Sequence, residues 1–300
     1  MDAEAAGQRV DNYLTRHLKG VPKSHIYRIL RSGEVRVNSR RVSADYRVQE
    51  GDRLRLPPVR TARPQRPAAP GPRLQAGVLH EDGYLLVIDK PSGVAVHGGS
   101  GISRGVVEQL RLERPEDRYL ELVHRLDRET SGVLMLAKRR SALLELHRQL
   151  REGRVRKYYL VLVRGPWRDG KRSVTAPLHK FVLASGERRV SVSPEGMAAH
   201  TVFRLQRAGK AYSLLEAELK TGRTHQIRVH LAHLGYPIAG DDKYGDFALN
   251  KQLAKQGLKR MFLHACKAVI THPQTGAPLT LEAPLPAELR TFLETLDAGR

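Results

Sequence analysis

The segment His124-Arg125-Leu126-Asp127-Arg128-Glu129-Thr130-Ser131-Gly132 decides how this sequence is read. It sets one carboxylate between two arginines, immediately before the apolar run Val133-Leu134-Met135-Leu136. A short apolar run of that kind reads as a buried strand, which places Asp127 on the loop that feeds it. The flanking arginines offer a way to guide a phosphate toward a carboxylate that does no guiding itself. The plain alternative is a loop aspartate in a surface salt bridge.

The chain around this segment is strongly basic. Lysine and arginine number 52 against 31 acids, a net charge of +21 over 300 residues. Such a charge opposes compaction by self-repulsion and is most simply explained by a polyanionic partner. Nucleic acid, an anionic membrane and an acidic protein are the three classes to weigh. No apolar run approaches the roughly 18 residues of a spanning helix. The N-terminus MDAEAAGQRVDNYL begins acidic and lacks the charged-then-apolar pattern of a signal peptide. Cys266 is the only cysteine, so there is no disulfide framework. Apolar residues make up 40%, enough for a real core. The expectation is a monomeric cytoplasmic protein with no membrane contact and a nucleic-acid partner. The alternative is a generally basic protein with no specific polyanion.

Upstream, TARPQRPAAPGPR (61–73) reads as an extended linker, and no internal repeat is visible. The predicted division is a head at 1–59, a linker at 60–77 and a body at 78–300. In the head, Val10, Tyr13, Leu14 and Leu18 fall at helical spacing. Ser24 is a plausible N-cap for a second helix through Ile26, Ile29 and Leu30, with Gly33 as its stop. Val35 and Val37 then alternate with polar residues as in a half-wet strand. Lys19, Lys23, Arg28, Arg31, Arg36, Arg40 and Arg41 would form a basic face for phosphates, with Glu34 the only acid between the first and the last. In the body, Leu85–Ile88, Val133–Leu136 and Tyr159–Val163 read as strands and Ala142–Leu150 as a helix. The order lacks regular βαβ alternation, which favours α+β.

Several tempting motifs fail. Gly165 to Lys171 has P-loop spacing, but Arg172 stands where a Ser or Thr must meet Mg²⁺. Gly99-x-Gly101 lacks the third glycine of a dinucleotide fingerprint, because Arg104 occupies that place. His225, His230 and His233 are crowded, yet no cysteine or carboxylate joins them at zinc spacing. Read as a strand, that segment would point His225 and His230 to opposite faces. No metal or cofactor is expected. Cys266 lies in an apolar-leaning stretch and reads as a small packed residue.

The opening segment resembles the signature of the Rlu-type pseudouridine synthases, HRLD-[RK]-[DE]-TSG. Thr221-Gly222-Arg223-Thr224-His225-Gln226-Ile227-Arg228-Val229-His230 resembles a second block of that family. Lys157-Tyr158-Tyr159 resembles a third, in which a lysine precedes a tyrosine by two. The head resembles an S4 RNA-binding domain, and KGVPKSHIYRILRSGEVRVN and KPSGVAVHGGSG look most like the large-subunit branch of the family. The likeness runs over nearly the whole chain.

It implies an S4-type head on a mixed, largely antiparallel α+β catalytic domain. It also implies cofactor-free isomerisation of uridine to pseudouridine in 23S ribosomal RNA, naked or in a large-subunit assembly intermediate. Asp127 matches the family's catalytic aspartate. A carboxylate can trap a cationic C1′ or take the C2′ proton, and both routes stay open. Arg228 matches the arginine that pairs with it, and Tyr159 the active-site tyrosine that stacks on the base. Tyr158 is its competitor, but strand neighbours face opposite sides, so only one enters the site. Arg125 resembles the arginine that replaces the extruded base, with Arg128 and Arg223 as further RNA contacts. Two alternatives remain: the same reaction on transfer RNA, and a catalytically idle ribosome-assembly factor.

Overall fold

The computed structural model describes residues 5–18, 20–59, 77–98 and 104–298. Lys19 and the Pro-rich stretch 61–73 lie outside them. The chain divides into two compact units, Met1–Pro70 and Gly71–Arg300.

In the first unit, helices α1 (Val10–His17) and α2 (Lys23–Arg31) pack on strands β1 (Arg36–Val37), β2 (Arg40–Arg41) and β3 (Leu54–Arg55). The core is the helical stripe read from sequence, Val10, Leu14, Ile26, Ile29 and Leu30, joined by Val35 and Val48. Ser24 does not cap α2: the helix starts one residue earlier, after Pro22, and no side chain caps it. Proline is already fixed at φ near −65° and cannot continue a helix backwards, so it sets the boundary itself. Asn38 and Ser39 both take left-handed backbone, which makes the two-residue turn between β1 and β2. That register sets Arg36 opposite Arg41 on one side and opposite Arg55 on the other.

The second unit opens with β4 (Val78–Glu81), β5 (Leu85–Lys90) and α3 (Val106–Glu113), then β6 (Glu121–Leu122), β7 (Ser131–Ala137) and α4 (Arg140–Arg151). Next come β8 (Arg156–Arg164), β9 (Lys171–Val174), β10 (Leu178–Val182), β11 (Arg188–Val192), β12 (Thr201–Arg207) and β13 (Tyr212–Leu219). It closes with α5 (Gln226–His233), α6 (Phe247–Lys255), β14 (Leu263–Thr271), β15 (Pro278–Glu282) and α7 (Ala287–Ala298). Among the described residues the main sheet runs β4-β5-β7-β14-β8-β13-β12-β9, with β6 on β7 and β15 on β14. Only the β7–β14 pair is parallel, so the expected mixed, largely antiparallel α+β body is what the sheet shows.

The strands nearest the site are apolar on both faces because helices cover both. Leu86 and Ile88 of β5 join Leu134 and Leu136 of β7 beneath α3, while Leu85 and Val87 join Val133 and Met135 beneath α4. A sheet sandwiched in this way reads as continuous apolar runs rather than alternation, as these strands do. Strand β8 pairs with β13 on one side and β14 on the other, so Tyr159 stands on a doubly bonded, central strand.

Gly132 is where β7 meets β14. Its φ is +109°, and a Cβ there would lie 2.2 Å from the Ala265 carbonyl oxygen. No L side chain fits that backbone or that gap. Gly132→Ala should therefore destabilise the body by about 2 kcal/mol or more, read by urea unfolding. A change within 0.5 kcal/mol would show that the pairing can open without cost.

Candidate active site

The loop carrying Asp127 is clamped from beneath. Lys90, fully buried at the end of β5, donates its three N–H groups to the carbonyls of Pro91 and Val94 at 2.8 Å and Arg128 at 3.0 Å. Burial pushes its ammonium down to about 7. Gly93 N–H also donates to Arg128 O at 2.9 Å, and Ser92 Oγ donates to Glu129 O at 2.8 Å. On the other flank Arg260 donates to Ser131 Oγ at 2.8 Å, and Ser131 faces His264 Nδ1 at 2.9 Å. Lys90, noted from sequence only as the first residue of the resembling stretch KPSGVAVHGGSG, is thus a post under the Asp127 loop.

Asp127 opens into a cavity of about 570 Å³, within the range of ligand sites. Tyr159, Arg228, Arg125, Arg223, His225 and Lys157 line the same cavity. Three separated segments therefore converge here, and they include the three residues singled out as catalytic. Tyr159 is buried and faces in. Tyr158 faces the other way, beneath Lys267 Nζ at 5.0 Å from its ring centre. Burial, and after it the Asp127 charge, push the Tyr159 phenol above its ordinary value. It stays protonated rather than resting as a phenolate.

Arg228 lies 3.5 Å from Asp127 Oδ2 through Nη1. Its bidentate partner is a different carboxylate: Nε and Nη2 donate to Asp241 Oδ2 and Oδ1, each at 2.7 Å. Burial opposes the Arg228 charge, but the bonds and charge of Asp241 outweigh it and raise the guanidinium. Asp241 is held low by the same pair and also accepts the N–H groups of Lys243 and Tyr244. The arginine thus arrives at Asp127 already fixed, with its Nη1 group left to offer, while Nη2 also lies 3.4 Å from Asp242 Oδ1.

The strand reading of residues 225–233 is wrong. Gln226–His233 is helix α5, and its residues from Gln226 to Leu231 are all buried. His225 precedes it with φ +54°, a left-handed backbone that non-glycine residues seldom take and that tends to mark functional sites. Val190 N–H donates to the Tyr244 oxygen at 3.0 Å, and Tyr244 O–H faces His225 Nδ1 at 2.8 Å. That leaves the proton on Nε2, which lies 3.9 Å from Asp127 Oδ2. Burial lowers the imidazole, so the ring is neutral. His230 is engaged elsewhere, with Thr201 Oγ1 and Ala176 O, both at 2.9 Å.

Sequence reasoning did not assign Asp241, His225, Tyr244 and Lys90. The one available signal for the first was the acidic pair Asp241-Asp242 in a basic chain.

His124 sits behind the Asp127 loop and accepts Met135 N–H on Nε2 at 3.2 Å. Burial, with the nearby Lys157 charge, pushes it down to about 3. An unfolded histidine titrates near 6.5, so below that pH the unfolded chain binds a proton the folded chain refuses. Stability then falls as pH drops from about 6.5 toward 3. Between pH 7 and pH 5 wild type should lose roughly 1–2 kcal/mol more than His124→Gln in urea unfolding. Identical pH slopes would remove His124 as the cause.

The remaining sequence-predicted contacts divide clearly. The Arg125 side chain is exposed at the cavity mouth, with no hydrogen bond or ion pair among the described residues. Arg128 is exposed and donates to the Glu129 carboxylate at 2.7 Å, and Arg223 donates to Ala198 O at 3.0 Å. In the first unit Lys23, Arg28, Arg31, Arg40 and Arg41 are exposed and Arg36 is half-buried. None of these six has an ion pair among the described residues.

The sheet thus places an acid loop, a strand tyrosine and a buried arginine around one cavity. The chain belongs to the RNA pseudouridylate synthase family: that family's model matches residues 84–233, and the S4 domain model matches residues 8–54. Among known proteins, the ribosomal large subunit pseudouridine synthase C of Salmonella typhi is 53% identical over 98% of this chain and 94% of its own length. The protein of that name from Escherichia coli is 53% identical over 99% of this chain and 96% of its own. Among solved structures, human RNA pseudouridylate synthase domain containing 4 is similar with a TM-score of 0.61 at 27% identity. That match covers 75% of this chain and 94% of the human one. No helix among the described residues is long and apolar enough to cross a membrane.

Proposed function

We propose that the protein isomerises specific uridines to pseudouridine in the 23S ribosomal RNA of the large subunit, as a cytoplasmic, cofactor-free monomer. The carrying observation is the convergence of Asp127, Tyr159 and Arg228 on one cavity. The names of the relatives that match over nearly the full length point to the substrate. In this reading Asp127 acts on the sugar, Arg228 orients it, and Tyr159 stacks on the flipped uracil. The reaction only relocates a bond, so it calls for neither redox group nor energy source.

Arg125 takes the place of the flipped base, offsetting an unstacking cost of a few kcal/mol. Arg128 and Arg223 hold backbone phosphates beside it. We place the head at 1–59, the linker at 60–77 and the body at 78–300. In the head, Lys23, Arg28, Arg31, Arg36, Arg40 and Arg41 bind phosphate, and Lys19 is assigned with them. The row Arg41, Arg36, Arg55 across the small sheet supports this. Like charges set opposite one another destabilise a sheet until an anion covers them.

The test is tritium release from [5-³H]uridine-labelled large-subunit RNA and, in parallel, from transfer RNA. Chemical mapping of pseudouridines in cells lacking the protein accompanies it. Release from the large-subunit RNA alone, with matching sites lost in the cells, is expected. Release only from transfer RNA would move the reading to that substrate. Binding without release from either would make the protein an assembly factor.

A further inference from the structure

Lys157 belongs to the Lys157-Tyr158-Tyr159 block, yet nothing above gives it work. It is partly buried and lines the Asp127 cavity. The one other cation in that wall that is buried does have a partner. Arg228 has Asp241, while Lys220 and Arg223, nearer the surface, have Glu218 and the Ala198 carbonyl. The Lys157 ammonium has no hydrogen bond and no ion pair among the described residues. Burial lowers its ammonium, and no carboxylate counters that. Its neighbour His124 is pinned neutral and cannot serve. Across from it stands Gly222, where a Cβ would come within 3.3 Å of Nζ, so the glycine leaves the ammonium room. A desolvated charge without a counter-ion is costly, and a ligand that brings the anion relieves that cost.

We infer that the Lys157 ammonium is the counter-charge for the uracil ring once its glycosidic bond has broken, pairing with a ring carbonyl oxygen while the base turns over Tyr159. This rests on the pseudouridine synthase reading above. The placement comes from the strand. Residues 157 and 159 project from the same face of β8, about 7 Å apart. Asp127 faces Tyr159, so the sugar belongs at that end. A ring stacked on Tyr159 then extends its far edge toward Lys157. When N1–C1′ breaks, the bonding pair leaves with uracil and spreads over N1 and the two carbonyl oxygens. C5 then bonds to C1′, the C5 proton departs, and N1 ends protonated. Charge sits on the ring only between these steps, where a prepositioned cation stabilises it most.

The experiment uses the full chain with Lys157→Met and Lys157→Arg, in single-turnover tritium release and in RNA binding across a salt series. A parallel substrate carries 5-fluorouridine, whose more acidic uracil leaves more easily. It is read as loss of 5-fluorouridine after digestion. Lys157→Met should lower the single-turnover rate on uridine RNA by about 10²–10³-fold. Its Kd and salt slope should stay as in wild type, and Lys157→Arg should recover part of the rate. On 5-fluorouridine RNA the loss should be at least about tenfold smaller, because a better leaving group needs the cation less.

A raised Kd, with a salt slope reduced by about one and an intact maximal rate, would make Lys157 a phosphate contact and overturn the inference. Equal losses on both substrates, or none, would overturn it too. If Lys157→Met fails to fold, Lys157→Gln carries the same comparison. Wild type and Asp127→Asn run alongside. A silent wild type sinks the enzyme reading, whereas an active wild type with an equally active Lys157→Met sinks only this one.

Discussion

Asp127→Asn should abolish isomerisation, lowering tritium release by roughly 10⁴-fold or more while leaving RNA affinity at or above that of wild type. The substitution is nearly isosteric and removes one negative charge from a cationic cavity, so binding has no reason to weaken. The fold has little reason to respond either. The side chain is 20% exposed, and the bonds that hold the loop run through the Arg128 and Glu129 carbonyls and Ser131. A residual rate within tenfold of wild type would show that the carboxylate is not the group acting on the sugar. The same assay with deuterium at C2′ separates the two routes open to Asp127. A primary isotope effect on release points to proton removal, and its absence points to attack at C1′.

Arg228→Met should be the most destabilising of the site substitutions. It strands Asp241, whose side chain is only 1% exposed, as a buried unpaired charge. Breaking such a pair from one side costs about 3–5 kcal/mol. Activity should fall as well, because Asp127 loses the Nη1 group at 3.5 Å. The two losses can be separated. Adding Asp241→Asn removes the stranded charge, while the amide oxygen can still accept the Lys243 and Tyr244 N–H groups. The double variant should regain most of the stability in urea unfolding and none of the activity. Recovery of activity would mean that Arg228 serves Asp127 only by keeping the fold intact.

Where sequence and structure part company, the cause is burial. The Asp127 loop and the β7 run after it were legible because loop chemistry and apolar runs are local; alternation said only that one of Tyr158 and Tyr159 turns inward, and the resemblance in the lysine-x-tyrosine block pointed to Tyr159. Helix α5 was not. Its apolar residues Ile227, Val229 and Leu231 alternate like a strand, and the polar residues between them are as buried as they are. Gln226 is satisfied by Thr221, Thr201 and the His200 carbonyl, His230 by Thr201 and Ala176, and Arg228 by Asp241. A helix enclosed on all sides shows no polar face, so periodicity has nothing to report. Asp241 was hidden for a related reason: its partner is 13 residues away and across a turn. Lys90 gave no signal because nothing in its neighbours announces that it goes inward.

The parallel pairing of β7 with β14 joins residues 133 positions apart, from Ser131 to His264. Arg260, the other brace on the Asp127 loop, reaches back 129 positions to Ser131. Chains fold from the N-terminus as they are made, and contacts this distant form last. A growing chain would therefore carry its aspartate, its tyrosine and even its head long before the loop can be locked in place. Competence would arrive almost with the final residues, so a protein broken off early in synthesis should bind RNA and leave it unchanged.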